Sequence, residues 1–196
     1  MLKPSVFEFH PVMEYTGPLT AIDLSKGYDH SENAPELRGA GGYLERREAM
    51  YTSVLYGGKR FIHMGVDIWA PQGARIFAFD DGVIWGVRDN NNELDYGPTL
   101  VTEHEFGGVR LFALHGHLSK ESIIKLKPGT RFSKGDVLGV LGSRQENGGW
   151  IPHLHFQISV KEPDAPDMPG VVSEEELQEA IKIYPDPRIV LGPLYL

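Results

Sequence analysis

Residues 147–157 read NGGWIPHLHFQ, with His153 and His155 one residue apart in an apolar run. Side chains of a β-strand alternate between its faces, so the two imidazoles face one space while Leu154 and Phe156 enter the opposite layer. A second polar pair lies in residues 61–69, FIHMGVDIW, where Met64, Val66 and Ile68 alternate against His63, Gly65 and Asp67. That period of two predicts a strand with His63 and Asp67 on one face, and Gly65 between them clearing space for a group that approaches the backbone. By the same rule His115 and His117, in residues 114–119, LHGHLS, share a face.

Burying four such groups without partners costs about several kcal/mol in total, and a cation offsets that cost. The chain has no cysteine, which excludes disulfides and thiolate metal sites. Imidazole nitrogens with one carboxylate suit zinc, and three protein ligands plus water make an open catalytic site rather than a closed structural one. Water on such a zinc ion has its pKa lowered to about 7, which yields hydroxide near neutral pH.

The elements that must position these residues follow from the surrounding pattern. From Phe61 to Ser159, short alternating stretches are separated by Gly- and Pro-containing turns, such as FGG at 106–108, PG at 128–129 and KGD at 134–136. Many short strands at close spacing predict a mainly β fold, an antiparallel β-sandwich or partly open barrel. Residues 1–42 read as an irregular arm with a strand-like piece at Ser5 to Phe9. Residues 43–56 place Leu44, Tyr51 and Leu55 on one helical face before Gly57-Gly58. Near the C-terminus, Ser173 to Glu176 is a capping-box signature followed by Leu177, Ala180, Ile181 and Tyr184 at helical spacing, with Pro185 and Pro187 ending that helix. The expected organisation is an N-terminal arm and helix over 1–58, packed on a β domain with a C-terminal helix over 59–196.

With 196 residues, 41% of them hydrophobic, the composition is that of a globular domain. The formal net charge of -8, with no Lys/Arg block, argues against nucleic acid and against an anionic membrane surface as partners. No segment approaches the ~20 apolar residues of a membrane span, and Pro4, Glu8 and His10 interrupt any secretory signal in the first residues, so the expected location is the cytoplasm unless a signal has been trimmed.

The ordered set HMGVD, LHGHLS, KGDVLGVLG and PHLHFQI, spread over residues 61–160, resembles the lysostaphin/LytM-type zinc metallopeptidases. Those enzymes are mostly peptidoglycan-cleaving endopeptidases with a mainly antiparallel β core. The resemblance implies Zn2+ held by His63, Asp67 and His155. It also implies two further active-site histidines, His117 and His153, which polarise the attacking water and stabilise the oxyanion, in roles that can be exchanged between them. His115 stands where tyrosine is common, and is either a polar groove wall or an ordinary strand residue. Gln157 stands where glutamate is common and is assigned no catalytic part.

Trp150, with Asn147 in the loop leading to the site, is read as lining the substrate groove, and Tyr96 in the YGP turn likewise; packing alone is the plainer alternative for both aromatics. His10, His30 and His104 are read as hydrogen-bonded structural residues. The segments DYGP at 95–98, ENGGW at 146–150 and PDP at 185–187 resemble a subgroup found beside kinase-like and aminotransferase-like domains. The leading expectation is therefore a zinc-dependent hydrolase cutting a peptide bond, with peptidoglycan-type peptides as substrate. The alternative is a metal-containing binding domain without turnover, acting in cytoplasmic metabolism.

Overall fold

The computed structural model describes residues 8–15, 17, 19–27, 38–51 and 56–194. The strands are β1 (Ala21–Ile22), β2 (Gly39–Gly41), β3 (Ile62–His63), β4 (Val66–Trp69), β5 (Arg75–Phe77), β6 (Gly82–Asn90), β7 (Gly97–Phe106), β8 (Val109–Gly116), β9 (Arg131–Phe132), β10 (Val137–Val140), β11 (His153–Ser159) and β12 (Val171–Val172). Three short helices accompany them: α1 (Lys120–Ile124), α2 (Leu177–Ile183) and α3 (Arg188–Leu191). An eight-stranded sheet runs in the order β1-β2-β4-β11-β8-β7-β6-β9, antiparallel throughout except for the β1–β2 pair, with β1 and β9 as its outermost strands among the described residues. The mainly β, antiparallel, unclosed core expected from the alternation is present.

Register shows how the sequence sorts its side chains. On β11, Leu154 pairs with Ile68 and Phe156 with both Val66 and His115. Leu154, Phe156, Ile158, Ile68, Val66 and Leu100 pack on one face of the sheet against Ile76, Phe79 and Leu138 from the β5–β10 ribbon and its flanks. Phe156 meets Phe79 edge-on with ring centroids 6.0 Å apart, and truncation of such a fully buried ring to alanine costs about 3–5 kcal/mol. The opposite face carries His153 beside Trp69 and His155 beside both Asp67 and Gly116. A smaller ribbon, β3 with β12, packs through Ile62, Met64 and Val172 on Ala180 of α2.

Two local expectations are met, with detail added. The capping box forms reciprocally, Glu176 N donating to Ser173 Oγ at 3.3 Å and Ser173 N to Glu176 Oε2 at 2.9 Å. The strand expected within residues 61–69 is interrupted at Met64–Gly65, so β3 joins the small ribbon and β4 the main sheet. Gly65 leaves the space its spacing promised: a Cβ there would lie 2.5 Å from Cε1 of His155.

The helix expected over 43–56 is not formed in its described part, and residues 52–55, Leu55 included, lie outside the described residues. Leu44 takes φ of 62°. The backbone hydrogen-bonds outward instead of to itself, Leu44 N to His63 O at 2.8 Å, His63 N to Glu45 O at 3.0 Å and Arg47 N to Phe61 O at 2.9 Å. Pairing with the β3 strand outweighs the weak intrinsic preference of a short amphipathic stretch. Of the strand-like piece at Ser5 to Phe9, residues 5–7 lie outside the described residues, as does His30; Glu8 and Phe9 are not in a strand.

Candidate metal centre

Four elements deliver polar side chains to one point on the outer face of the main sheet. The antiparallel register of β4 and β11 places Asp67 opposite His155, and the β3–β4 interruption turns His63 toward them. His63 Nε2 lies 3.0 Å from His155 Nδ1 and 3.3 Å from Asp67 Oδ1, and His155 Nδ1 lies 3.0 Å from the same oxygen. All three residues are buried, at 1%, 3% and 3% exposure for His63, Asp67 and His155. Among the described residues, they are the group whose ligand atoms all lie within 4.8 Å of one another.

Hydrogen bonds at the rear of each ring define which nitrogen carries a proton, because a carbonyl oxygen can only accept. His63 Nδ1 donates to Gly42 O at 3.0 Å, leaving Nε2 as a lone pair. His155 Nε2 faces Gln157 Oε1 at 3.1 Å, while the amide nitrogen of Gln157 donates to Pro169 O at 3.3 Å and so fixes the amide orientation. Tyr96 Oη, itself donating to Met168 O at 3.1 Å, is a second acceptor for that His155 nitrogen at 3.4 Å. His155 Nδ1 is then also a lone pair. Two imidazole lone pairs and a carboxylate oxygen thus converge with no proton between them, an arrangement that is repulsive until a cation enters. For metal–ligand bonds of about 2.0–2.1 Å at tetrahedral angles, donor atoms lie about 3.3 Å apart; the observed 3.0–3.3 Å separations fit such an ion.

Charges in the site agree with that reading. Burial works against the Asp67 carboxylate, but His63 and the Arg47 guanidinium beside it hold its pKa well below the usual carboxylate range. Burial, reinforced by Arg47, lowers the pKa of His63 to about 4, so the ring is neutral and available as a ligand.

His117 and His153 flank this triad. His153 stacks on Trp69, with ring centroids 5.3 Å apart, and its Nε2 lies 3.8 Å from Asp67 Oδ1. His117 and His153 have ring centroids 4.2 Å apart. Each donates through Nδ1 to a backbone carbonyl, His153 to Ile151 at 2.7 Å and His117 to Asn147 at 3.1 Å. Both therefore keep a free Nε2 acceptor. Burial lowers the pKa of each ring, with His153 adding to the effect at His117 and Asp67 partly opposing it at His153.

His115 and His117 do not share a face. His115, wholly buried, pairs with Phe156 and Leu100 on the inner face, its ring 5.3 Å from that of Phe156. It is no part of the groove. Strict alternation would send His117 inward as well, but β8 ends at Gly116 and His117 adopts φ of 64°, which returns its ring to the outer face. Gly116 keeps that face low: a Cβ there would come within 2.9 Å of Tyr96 Cδ1.

A cavity of about 410 Å3 opens over the triad, lined by Asp67, His117, His153, His155, Trp69, Tyr51, Tyr56, Tyr96 and Trp150. Tyr96 and Trp150 are among the residues that line this cavity. Asn147 is not; it acts through its backbone on His117, and its side chain donates to Trp150 O at 3.0 Å.

Two contributors went unread in the sequence. Gln157 had a visible signal, since it continues the alternation His153, His155, Gln157. Arg47, whose Nη1 lies 2.6 Å from Asp67 Oδ2, has none, because the spacing of its segment predicts a helix.

The sequence model of peptidase family M23 matches residues 61–166, and the chain belongs to that family of metallopeptidases. It is 30% identical over 121 residues, 62% of its length, to the protein named DD-carboxypeptidase/endopeptidase Mpg in Neisseria meningitidis serogroup B and in Neisseria gonorrhoeae. That match spans 25% of those relatives' own length. Among solved structures, the catalytic domain of lysostaphin from Staphylococcus simulans is 23% identical, with 72% of this chain and 92% of that one covered and a TM-score of 0.47. A zinc-containing peptidase from Vibrio cholerae is 27% identical, with coverage of 54% and 32% and a TM-score of 0.41.

Proposed function

We propose that this chain is a zinc-dependent peptidase that hydrolyses a peptide bond in peptidoglycan-type peptides. The observation that carries the reading is the convergence of His63 Nε2, His155 Nδ1 and Asp67 Oδ1, each with its proton-free side turned inward. These three atoms would hold the ion, which when bound supplies Lewis acidity and a water acidic enough to ionise near neutral pH.

The remaining chemistry belongs to the chain. His117 and His153 both offer a free Nε2 to the same space; one accepts the proton of the attacking water, and the other, when protonated, hydrogen-bonds the oxyanion or the departing amine. Their Nδ1 bonds to Asn147 and Ile151 hold the rings in that orientation. Trp150 and Tyr96 line the cavity over the triad, where they would contact the substrate. The curated relatives are named DD-carboxypeptidase/endopeptidase, which supports a peptide as substrate class.

Purified muropeptides and simple peptides incubated with the protein, followed by mass spectrometry, test the reading. Expected are new cleavage products that vanish with a chelator, return with zinc, and form far more slowly with His153→Ala. Zinc-loaded protein that cleaves none of these peptides contradicts it.

A further inference from the structure

The segment before the family-matched region reaches into the metal centre. β2 adds to the β4 edge with Gly41 opposite Asp67, and the chain then crosses the site so that Gly42 O receives the His63 Nδ1 proton. Arg47 follows, with only 1% of its surface exposed. Its Nε donates to Glu45 Oε2 at 2.7 Å, and its Nη1 donates to Asp67 Oδ2 at 2.6 Å and lies 3.2 Å from Tyr51 Oη. Nη2 has no hydrogen-bond partner among the described residues. It lies over bare backbone, where a Cβ on Gly41 would come within 2.8 Å of it and within 3.0 Å of the Trp69 ring.

A buried guanidinium with one nitrogen unpaired is unfavourable in itself. The fold nevertheless holds it there with a carboxylate, a phenol and a glycine. The effect falls on Asp67: with Oδ2 tied to Arg47, only Oδ1 can turn toward His63 and His155. Without the tie the carboxylate can rotate and present either oxygen or both. Arg47 also sets a positive charge, shared with Glu45, beside the Asp67 carboxylate.

We infer that Arg47, carried by a segment outside the region the family match covers, is a positioning residue that fixes Asp67 as a one-oxygen ligand and thereby completes the metal centre. The inference rests on the metal reading of the triad. Removal of partners that orient metal ligands typically weakens metal binding by about 10–100-fold.

The test is a zinc competition titration of the full chain against a chromophoric chelator, with thermal melts confirming the fold. Wild type is expected to bind one zinc ion and His63→Ala none; zinc affinity of Arg47→Met should fall by about 10–100-fold. Arg47→Lys, which keeps the charge but not the fork, should lie between. Gly41→Ala, which crowds Nη2 without removing it, should move affinity the same way by a smaller factor. Folded Arg47→Met or Gly41→Ala protein with wild-type zinc affinity overturns the role of Arg47 and leaves the triad intact. If Arg47→Met does not fold, Gly41→Ala carries the decision. A wild-type chain that binds no zinc, or a His63→Ala chain that binds it equally well, overturns the metal reading instead.

Discussion

Two sets of buried histidines stand on opposite faces of the same sheet. On the outer face His63, His153, His155 and His117 turn free nitrogens toward one carboxylate oxygen or its surroundings. On the inner face His104 lies among Phe79, Phe106 and Phe132, bonded to Thr102 and to the carbonyl of Asp81, and His115 packs on Phe156 with neither ring nitrogen in good hydrogen-bond geometry. Burial lowers the pKa of His104 to about 4 and of His115 to about 3, as it lowers that of His63 to about 4. What separates them is convergence: the outer rings share one target, the Asp67 carboxylate, whereas His104 and His115 turn to separate surroundings.

The largest effects should come from breaking the convergence itself. His155→Ala or Asp67→Ala is expected to abolish both zinc binding, measured by metal analysis after dialysis, and peptide hydrolysis. Next, His153→Ala or His117→Ala should lower turnover by about 10²–10⁴-fold, the usual weight of a general acid or base, while one zinc ion per chain is retained. Retention of metal with loss of rate distinguishes these two from the triad. Gln157→Ala should weaken zinc binding by about 10–100-fold, because it frees the rear of His155.

The inner set should respond only in stability. His115→Leu is expected to leave hydrolysis unchanged. For a histidine whose folded pKa lies below its unfolded value, the unfolded chain binds more protons, so stability is complete above about pH 6.5 and declines as pH falls toward the folded pKa. Denaturant melts should therefore show wild-type stability falling between pH 6.5 and about 3–4, in the range set by His104 and His115. His115→Leu should make that decline shallower. An equal slope in the variant would mean that His115 takes no part in it.

Much of this division was legible in the alternation of the strands. Spacing alone pairs His63 with Asp67 on one face of their strand and His153 with His155 on one face of theirs, opposite Leu154 and Phe156, and marks Gly65 as clearance. The misreadings share a cause in contacts distant along the chain. A single left-handed residue, His117, breaks the parity that His115 and His117 would otherwise share, and nothing in LHGHLS marks it. The stretch from Leu44 to Tyr51 has helical spacing, yet it is drawn out by backbone pairing with Phe61 and His63 and by the Arg47–Asp67 ion pair, 20 residues apart in sequence. Gln157 was visible by its period but discounted because it departs from the family's glutamate, although an amide oxygen accepts the His155 proton as a carboxylate would.

The central claim is that His63, Asp67 and His155 share one ion. Anomalous diffraction at the zinc edge from crystals grown with zinc tests it most directly. A single strong peak about 2.0–2.1 Å from His63 Nε2, His155 Nδ1 and Asp67 Oδ1 is the predicted result. At saturating zinc, a map with no peak there, or with its main peak at other residues, would contradict it.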